Sequence, residues 1–464
     1  MLNHVPPALP GNKFTGHIIP FVRNPTDFLR KATEAMGSIF AIKLMGKNFV
    51  VLVGPEYHKF FFSETDKSLD MHSTYKPIAA ALGKIAFGVS EEVHSDQRPL
   101  VTKFFKASQM SQNAAIIQLE TQECLDGLGE VGEMDIDQFF ETVIKNITVH
   151  ALLGKDFKNK FGKQFWKYYD ILEKSVDFII PSTLPLPKFI RGRWARRRLE
   201  NILEPIVRER RAHPDLYDDI IQDLLGNNHY HTGKAIPDDD YIGMFMGLIY
   251  AGYKPTIGPA AWSIVDLLNN PEYLKLVEQE VAENTTPNQP ITLTEASSFR
   301  HAKWAVQESL RLHPPSELLL REAKTDIELG QYRVPKGWRV MLSVRLSQRD
   351  PALFRDPVRY DPLRFGPDRE EGAGNRYSLV HFGADYHRCP GIHFANLEIT
   401  LMMALLVQQF ELELKHEVLG PGLGFETERP KRAIIRYRRK KMSNTVPHKA
   451  VDTMKASCPH LHAM

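Results

Sequence analysis

Cysteine is scarce in this 464-residue chain, which has only Cys124, Cys389 and Cys458. Three cysteines make no disulfide framework and suit a reducing compartment, so a cytoplasmic protein is expected. Long apolar runs are missing too. Residues 1–40 hold neither a signal-peptide core nor an apolar stretch of roughly eighteen residues, so no transmembrane segment is expected there. No Gly/Ser linker or break in composition divides the chain, although its length alone would fit two or three domains. A formal net charge of +3 is too small for the basic field of a nucleic-acid-binding protein.

With 43% apolar residues, the chain can bury a large core. Its most informative stretch is His381-Phe382-Gly383-Ala384-Asp385-Tyr386-His387-Arg388-Cys389-Pro390-Gly391, a turn-rich loop running into an apolar, helix-forming segment over 392–410. Backbone N–H groups at that helix start should converge on the Cys389 sulfur and lower its pKa. A lone cysteine before a helix is also a common structural residue, so this reading needs its surroundings.

Phenylalanine and glycine, a short loop, and a basic pair directly before Cys-x-Gly together resemble the heme-binding loop of the cytochrome P-450 family. The resemblance implies a mainly α fold with a small β portion and a long central helix over the heme. It also implies heme b, with Cys389 as thiolate ligand to the iron and Phe382 packed beside the sulfur; such a thiolate favours O–O cleavage. Asp385 stands where the family usually has glycine. Aspartate tolerates left-handed backbone better than most residues, which makes the exchange workable.

Several further segments carry the likeness across residues 20–440. Two β-rich runs, 40–44 and 49–53, flank a hairpin signal. Residues 74–88 read as mixed and turn-containing, with Tyr75 matching a tyrosine that sterol 14α-demethylases place on a heme propionate. His94 and Arg98 share a helix face at i and i+4, so both can reach one pair of carboxylates. Arg321, in an expected strand lining the substrate cavity, and His387 match further propionate partners. Glu308 and Arg311 at three-residue spacing resemble the family's buried ion pair, with Arg364 as third member. The arginine cluster at 191–198 reads as the solvated face of a long helix.

The central helix is expected over 241–268, opened by Asp238, Asp239 and Asp240 and apolar nearly all round. In its middle lies Ala251-Gly252-Tyr253-Lys254-Pro255-Thr256, at the family's oxygen-activation motif. Ala251 and Gly252 stand where small residues let the helix pass close to heme; Lys254 and Pro255 replace the acid and first threonine. Pro255 has no N–H, so the carbonyl of Ala251 loses its helical donor and a kink is expected. Thr256 is the remaining hydroxyl, and Lys254 either serves catalysis or pairs with a surface carboxylate.

The resemblance therefore implies a single catalytic domain over 1–440, a disordered tail over 441–464, and a monomer. It implies a heme-thiolate monooxygenase that inserts oxygen from dioxygen into a bulky apolar substrate, with a separate ferredoxin or flavoprotein reductase as electron donor. Similarity at 184–189 and 218–225 points to the sterol demethylase branch, hence a sterol, triterpenoid or related lipid. A starting Met and a proline-rich segment at 6–10 without an anchor fit a soluble, bacterial-type member. Two alternatives are a heme-thiolate isomerase or dehydratase of an oxidised lipid, similar to prostacyclin synthase, and a non-catalytic heme or lipid binder. A metal site at Cys458, His460 and His462 is a weak further possibility.

Overall fold

The central helix, Asp238–Leu268, spans the molecule, and most of its residues are buried. Three aspartates fill its first turn, where the helix dipole favours negative charge. Asp240 is held there by Lys84 Nζ at 2.9 Å and by the Tyr230 hydroxyl at 2.7 Å. The helix stops at Asn269, because Pro271 opens the next one, Pro271–Asn284. It continues through both Pro255 and Pro259 as one element, so the expected kink does not divide it.

The computed structural model describes residues 4–441 except 85–87, 179, 217–219, 227–228, 231–232, 287–288 and 419–427. Around the central helix pack helices Ile136–Leu153, His301–Leu312 and Ile392–Gln409, which share one hydrophobic core with it. Helix Lys155–Glu173 lies against Ile136–Leu153 and also against Pro187–Ala212, the helix that carries the arginine cluster. Arg191, Arg193, Arg197 and Arg198 are exposed, and Arg196 pairs with Glu200, as a solvated helix face requires.

The β portion is small. A five-stranded sheet has the order Ile39–Leu44, Lys47–Leu52, Arg339–Ser343, Leu318–Ala323, Leu69–Asp70, with only the second and third strands parallel. The first two strands form the expected hairpin. Met45 and Gly46 both have positive φ, the geometry whose twist matches the flanking strands. A second sheet pairs Ile434–Arg439 with Phe410–Leu414 and with Val131–Asp135. The last strand was not expected, since its Gly132 and two acidic residues give little β signal.

Residues 74–88, expected to be mixed, instead begin inside a helix, His72–Leu82. Pro77 and the closing Gly83 argue for turns. The run Ala79-Ala80-Ala81-Leu82 and burial of Ile78 and Leu82 outweigh them. The expected tail, including Cys458, His460 and His462, falls outside the described residues apart from Lys441.

Behind the cysteine loop sits a fully buried ion triad. Glu308 accepts two parallel bonds from Arg311, each 2.8 Å, and a third from Arg364 Nε at 3.0 Å. Gln348, also fully buried, joins this triad to the loop. Its carbonyl accepts from Arg311, and its side-chain oxygen accepts from the N–H groups of Val380 and His381. Breaking such a cluster leaves an uncompensated buried charge. Glu308→Gln should therefore cost about 3–5 kcal/mol in guanidinium unfolding; a cost under about 1 kcal/mol would show that the triad is not an electrostatic unit.

Candidate functional site: the cavity at Cys389

The loop reaches its cysteine through two left-handed residues. Gly383 has φ 70°, and a Cβ there would sit 2.7 Å from the His387 carbonyl. Asp385 has φ 52°, so the geometry expected of it is present. Its carboxylate accepts from the Tyr377 hydroxyl at 2.9 Å and pairs with Arg376, which offsets the backbone strain. The turn closes with Cys389 N–H donating to the Phe382 carbonyl at 2.7 Å. Helix Ile392–Gln409 then begins, with Gly391 as its cap.

Cys389 keeps an open face because it lines a cavity of about 350 Å³ between this loop and the central helix. Burial pushes its thiol above the ordinary value, against the Gly391 N–H, Arg98 and Arg388, which favour the thiolate. Desolvation thus outweighs the helix terminus, and the expected lowering is reversed. Coordination to a metal cation deprotonates a thiol outright.

The central helix contributes Ala251, Gly252, Pro255 and Thr256 to the cavity. A Cβ at Gly252 would meet the Thr148 methyl at 3.3 Å, so glycine there also serves helix packing. Thr256 donates its hydroxyl to the Gly252 carbonyl at 2.9 Å. That bond is local, as serine and threonine often make in helices. Lys254 does not line the cavity. Its ammonium pairs with Glu173 of helix Lys155–Glu173 at 2.5 Å, and the same carboxylate accepts from the Tyr253 hydroxyl. The surface-carboxylate alternative is the one the geometry realises.

His94, Arg98 and His387 line another part of the same cavity. His94 and Arg98 lie on helix Glu91–Thr102, which Ser90 caps through the Val93 N–H. Arg98 donates to the Arg388 carbonyl and lies over the Tyr386 ring. His94 stacks on His387 with centroids 5.2 Å apart. Burial, joined by repulsion from His387 and His72, lowers the pKa of His94 to about 4. Phe382 lines this cavity and also one of about 1180 Å³ on the far side of the loop, beside Lys303, Arg388 and His393.

Tyr75 and Arg321 are brought together, but elsewhere. Tyr75 lines a second cavity of about 260 Å³ with Leu318, Leu320, Phe49 and Met341. Arg321 is buried, donates to Thr65 Oγ1 at 3.0 Å, and lies over the Phe61 ring at 4.7 Å. Burial lowers its pKa, while a hydrogen bond with Tyr75 opposes that. The expected strand is present, yet it lines the second cavity instead of the one at Cys389.

Does this chemistry suit heme? The cavity walls are largely apolar, a sulfur ligand opens onto it, and basic groups at His94, Arg98 and His387 suit two acid groups. His94 Nδ1 is buried without a hydrogen-bond partner. These features fit a flat apolar macrocycle that carries carboxylates and a thiolate-binding metal.

A mostly helical fold with a cysteine loop facing a long helix defines the class as heme-thiolate protein. The family model for cytochrome P-450 matches residues 6–421, and the chain belongs to that family. It is accordingly a heme-iron monooxygenase, an oxidoreductase. The chain is 27% identical to sterol 14alpha-demethylase of Mycolicibacterium vanbaalenii, covering 95% of this chain and 99% of that protein. It is 28% identical to lanosterol 14-alpha demethylase of Bos taurus, covering 92% and 86% respectively. The retinoic acid bound structure of cyanobacterial CYP120A1 is similar in fold, with TM-score 0.82 at 23% identity over 94% of this chain and 99% of that one. No described helix is long and apolar enough to cross a membrane.

Sequence reasoning missed three supports of this site. Gln348 had no motif to mark it. His58 hydrogen-bonds the Tyr377 carbonyl at 2.6 Å and so fastens the loop, again without a sequence signal. Asp66 lies 2.7 Å from His387. Burial pushes the Asp66 carboxyl up, but His387 and His72 outweigh it and hold it well below its ordinary value.

His58 and His381 make the loop acid-sensitive. Burial lowers His58 from 6.5 to about 4 and His381 to about 3. The unfolded chain therefore binds more protons than the folded one below pH 6.5, and stability falls as pH drops from there toward 4. His58→Gln should remove about 1.4 kcal/mol per pH unit from that slope. Unfolding curves with an unchanged acid slope would contradict a buried neutral His58.

Proposed function

We propose that the chain binds heme b through Cys389 and oxidises a bulky apolar substrate, a sterol, triterpenoid or related lipid, using dioxygen and electrons from a separate ferredoxin or flavoprotein. The observation that carries this reading is the apolar cavity onto which Cys389 opens beneath the small residues Ala251 and Gly252. Bound there, heme supplies the dioxygen chemistry. The protein supplies the thiolate, held by the Gly391 N–H, and a fixed loop behind it. His94, Arg98 and His387 would hold the cofactor carboxylates. Tyr75 would do so only by turning from its own cavity, and Arg321 by turning from Thr65.

Substrate binding falls to the apolar walls, which exclude water and fix orientation. Relatives that demethylate sterols support a large lipid over a small polar molecule. Lys303, Arg388 and His393 on the far side of the loop suit an acidic electron donor. A single catalytic domain over 1–440, a monomer and a cytoplasmic setting complete the proposal. Demethylation at carbon 14 is its narrowest form.

One observation favours a second reading. Thr256 spends its hydroxyl on Gly252, Lys254 faces Glu173, and Pro255 offers no donor. The one expected proton carrier of this helix that lines the cavity, Thr256, thus has its proton committed to the helix backbone, which suits an isomerase or dehydratase of an oxidised lipid.

Turnover with a sterol panel under isotopically labelled dioxygen separates the two. Incorporation of label, dependent on an electron donor, is expected; turnover without donor or dioxygen would instead select the isomerase. In the same assay Pro255→Thr should raise product formed per electron consumed, and an unchanged yield would show that the proline does not limit proton delivery.

A further inference from the structure

The second cavity, of about 260 Å³, lies between helix His72–Leu82 and one face of the five-stranded sheet. Strand alternation places Phe49, Leu318, Leu320 and Met341 on that face, where they form an apolar floor. Arg321 alternates to the opposite face and donates there to Thr65, so it is no part of this floor. The backbone from Pro315 to Leu318 divides the two cavities. Pro315 and Ser316 line the one at Cys389, while Glu317 and Leu318 line the other. The two cavities thus share a wall.

Two polar groups that line the second cavity have no hydrogen bond. Thr74 is 5% exposed, and its Oγ1 is buried without a partner. Arg339 Nε is likewise buried without one, and its guanidinium lies over the Phe49 ring of the floor at 5.8 Å. Sheet register sets both groups at one end. Arg339 stands opposite Glu322, Glu322 stands opposite Asp70, and Thr74 follows four residues after Asp70. Leaving buried donors unpaired is costly, so the two call for an oxygen that accepts from both. Charge narrows the choice. Glu322 Oε2 stands 3.9 Å from Arg339 Nε, close enough to balance its charge but too far for a hydrogen bond. Glu317, which accepts from the Thr26 hydroxyl, lines the cavity just before the other end of strand Leu318–Ala323. An anionic head would meet a carboxylate at either end, whereas a neutral hydroxyl or ketone escapes that repulsion.

We infer that the second cavity holds the oxygen-bearing end of the substrate, a neutral hydroxyl or keto group that accepts from Arg339 Nε and Thr74 Oγ1. On the reading of Cys389 as a lipid-oxidising centre, on which this rests, the substrate is an uncharged amphipathic lipid oxygenated at one end. A plain hydrocarbon and a lipid acid are both excluded. The apolar body lies on Phe49, Leu320 and Met341, and the opposite end passes Ser316 toward Cys389. Two directional bonds at one end stop the body from sliding, so Arg339 and Thr74 fix which carbon is presented for oxidation. A site built to bond an oxygen also rejects the analogue that lacks it, because its own donors are then left unpaired.

The test is equilibrium dialysis of the heme-loaded full chain against tritiated cholesterol, cholestane, which lacks the hydroxyl, and cholesterol sulfate, each delivered from cyclodextrin. Cholesterol should bind about tenfold or more tightly than either of the others. Arg339→Met should weaken cholesterol about tenfold and Thr74→Val about threefold, with cholestane unchanged in both. Equal affinity for cholesterol and cholestane, tighter binding of the sulfate, or equal losses for cholesterol and cholestane in the variants would each overturn the assignment. Should a variant fail to fold, the three wild-type affinities decide. If none of the three binds, the sterol-class reading of the substrate fails together with this site; if all three bind alike, only this site fails. Heme content, read independently by its absorption, leaves the Cys389 reading unaffected by either result.

Discussion

The site depends on a carboxylate that water cannot reach. Glu308 is fully buried and is tolerable only because Arg311 and Arg364 surround it with aligned donors. Such a cluster adds little net stability, since desolvating three ions offsets most of their attraction. What it adds is position. Arg311 also donates to the Gln348 carbonyl, and Gln348 in turn takes both N–H groups at the start of the cysteine loop. A shift of the triad would be passed along that short chain to Cys389, so a structural ion pair sets the aim of a metal ligand.

Opposite the loop, the central helix solves a different problem. It must be buried on nearly every side while leaving room for a flat cofactor, and it does so with Gly247, Ala251 and Gly252 along the cavity. Two prolines within five residues weaken its hydrogen-bond ladder without ending it, because tight packing against Ile136–Leu153 and His301–Leu312 holds the course. The consequence is chemical. Polar side chains expected to serve dioxygen are tied to Gly252 and to Glu173, leaving a wall that is apolar by construction.

Features carried by local sequence were legible: the hairpin turn at Met45 and Gly46, the His94–Arg98 helix face, the left-handed Asp385, and the Glu308–Arg311 spacing. Each follows from periodicity, turn chemistry or a short motif. Features assembled from distant segments were not. Gln348, His58 and the Asp66–His72 pair acquire meaning only when the chain folds, and nothing in their neighbours marks them. Helix His72–Leu82 was not read in the mixed pattern of 74–88, because the burial of Ile78 and Leu82 that supports it is not visible in sequence. Tyr75 and Arg321 were each read as a partner of a heme propionate, yet Tyr75 lines a neighbouring cavity and Arg321 donates to Thr65, a distinction that sequence order cannot carry. The thiol pKa was misjudged because helix polarity is visible in sequence and desolvation is not.

The most direct measurement is the absorption spectrum of the purified protein, reduced and exposed to carbon monoxide. Thiolate ligation through Cys389 predicts a strongly red-shifted Soret band that Cys389→Ser abolishes while the fold persists. A wild-type band at the position of histidine-ligated heme, or one that survives Cys389→Ser, would contradict the assignment of Cys389 as the iron ligand.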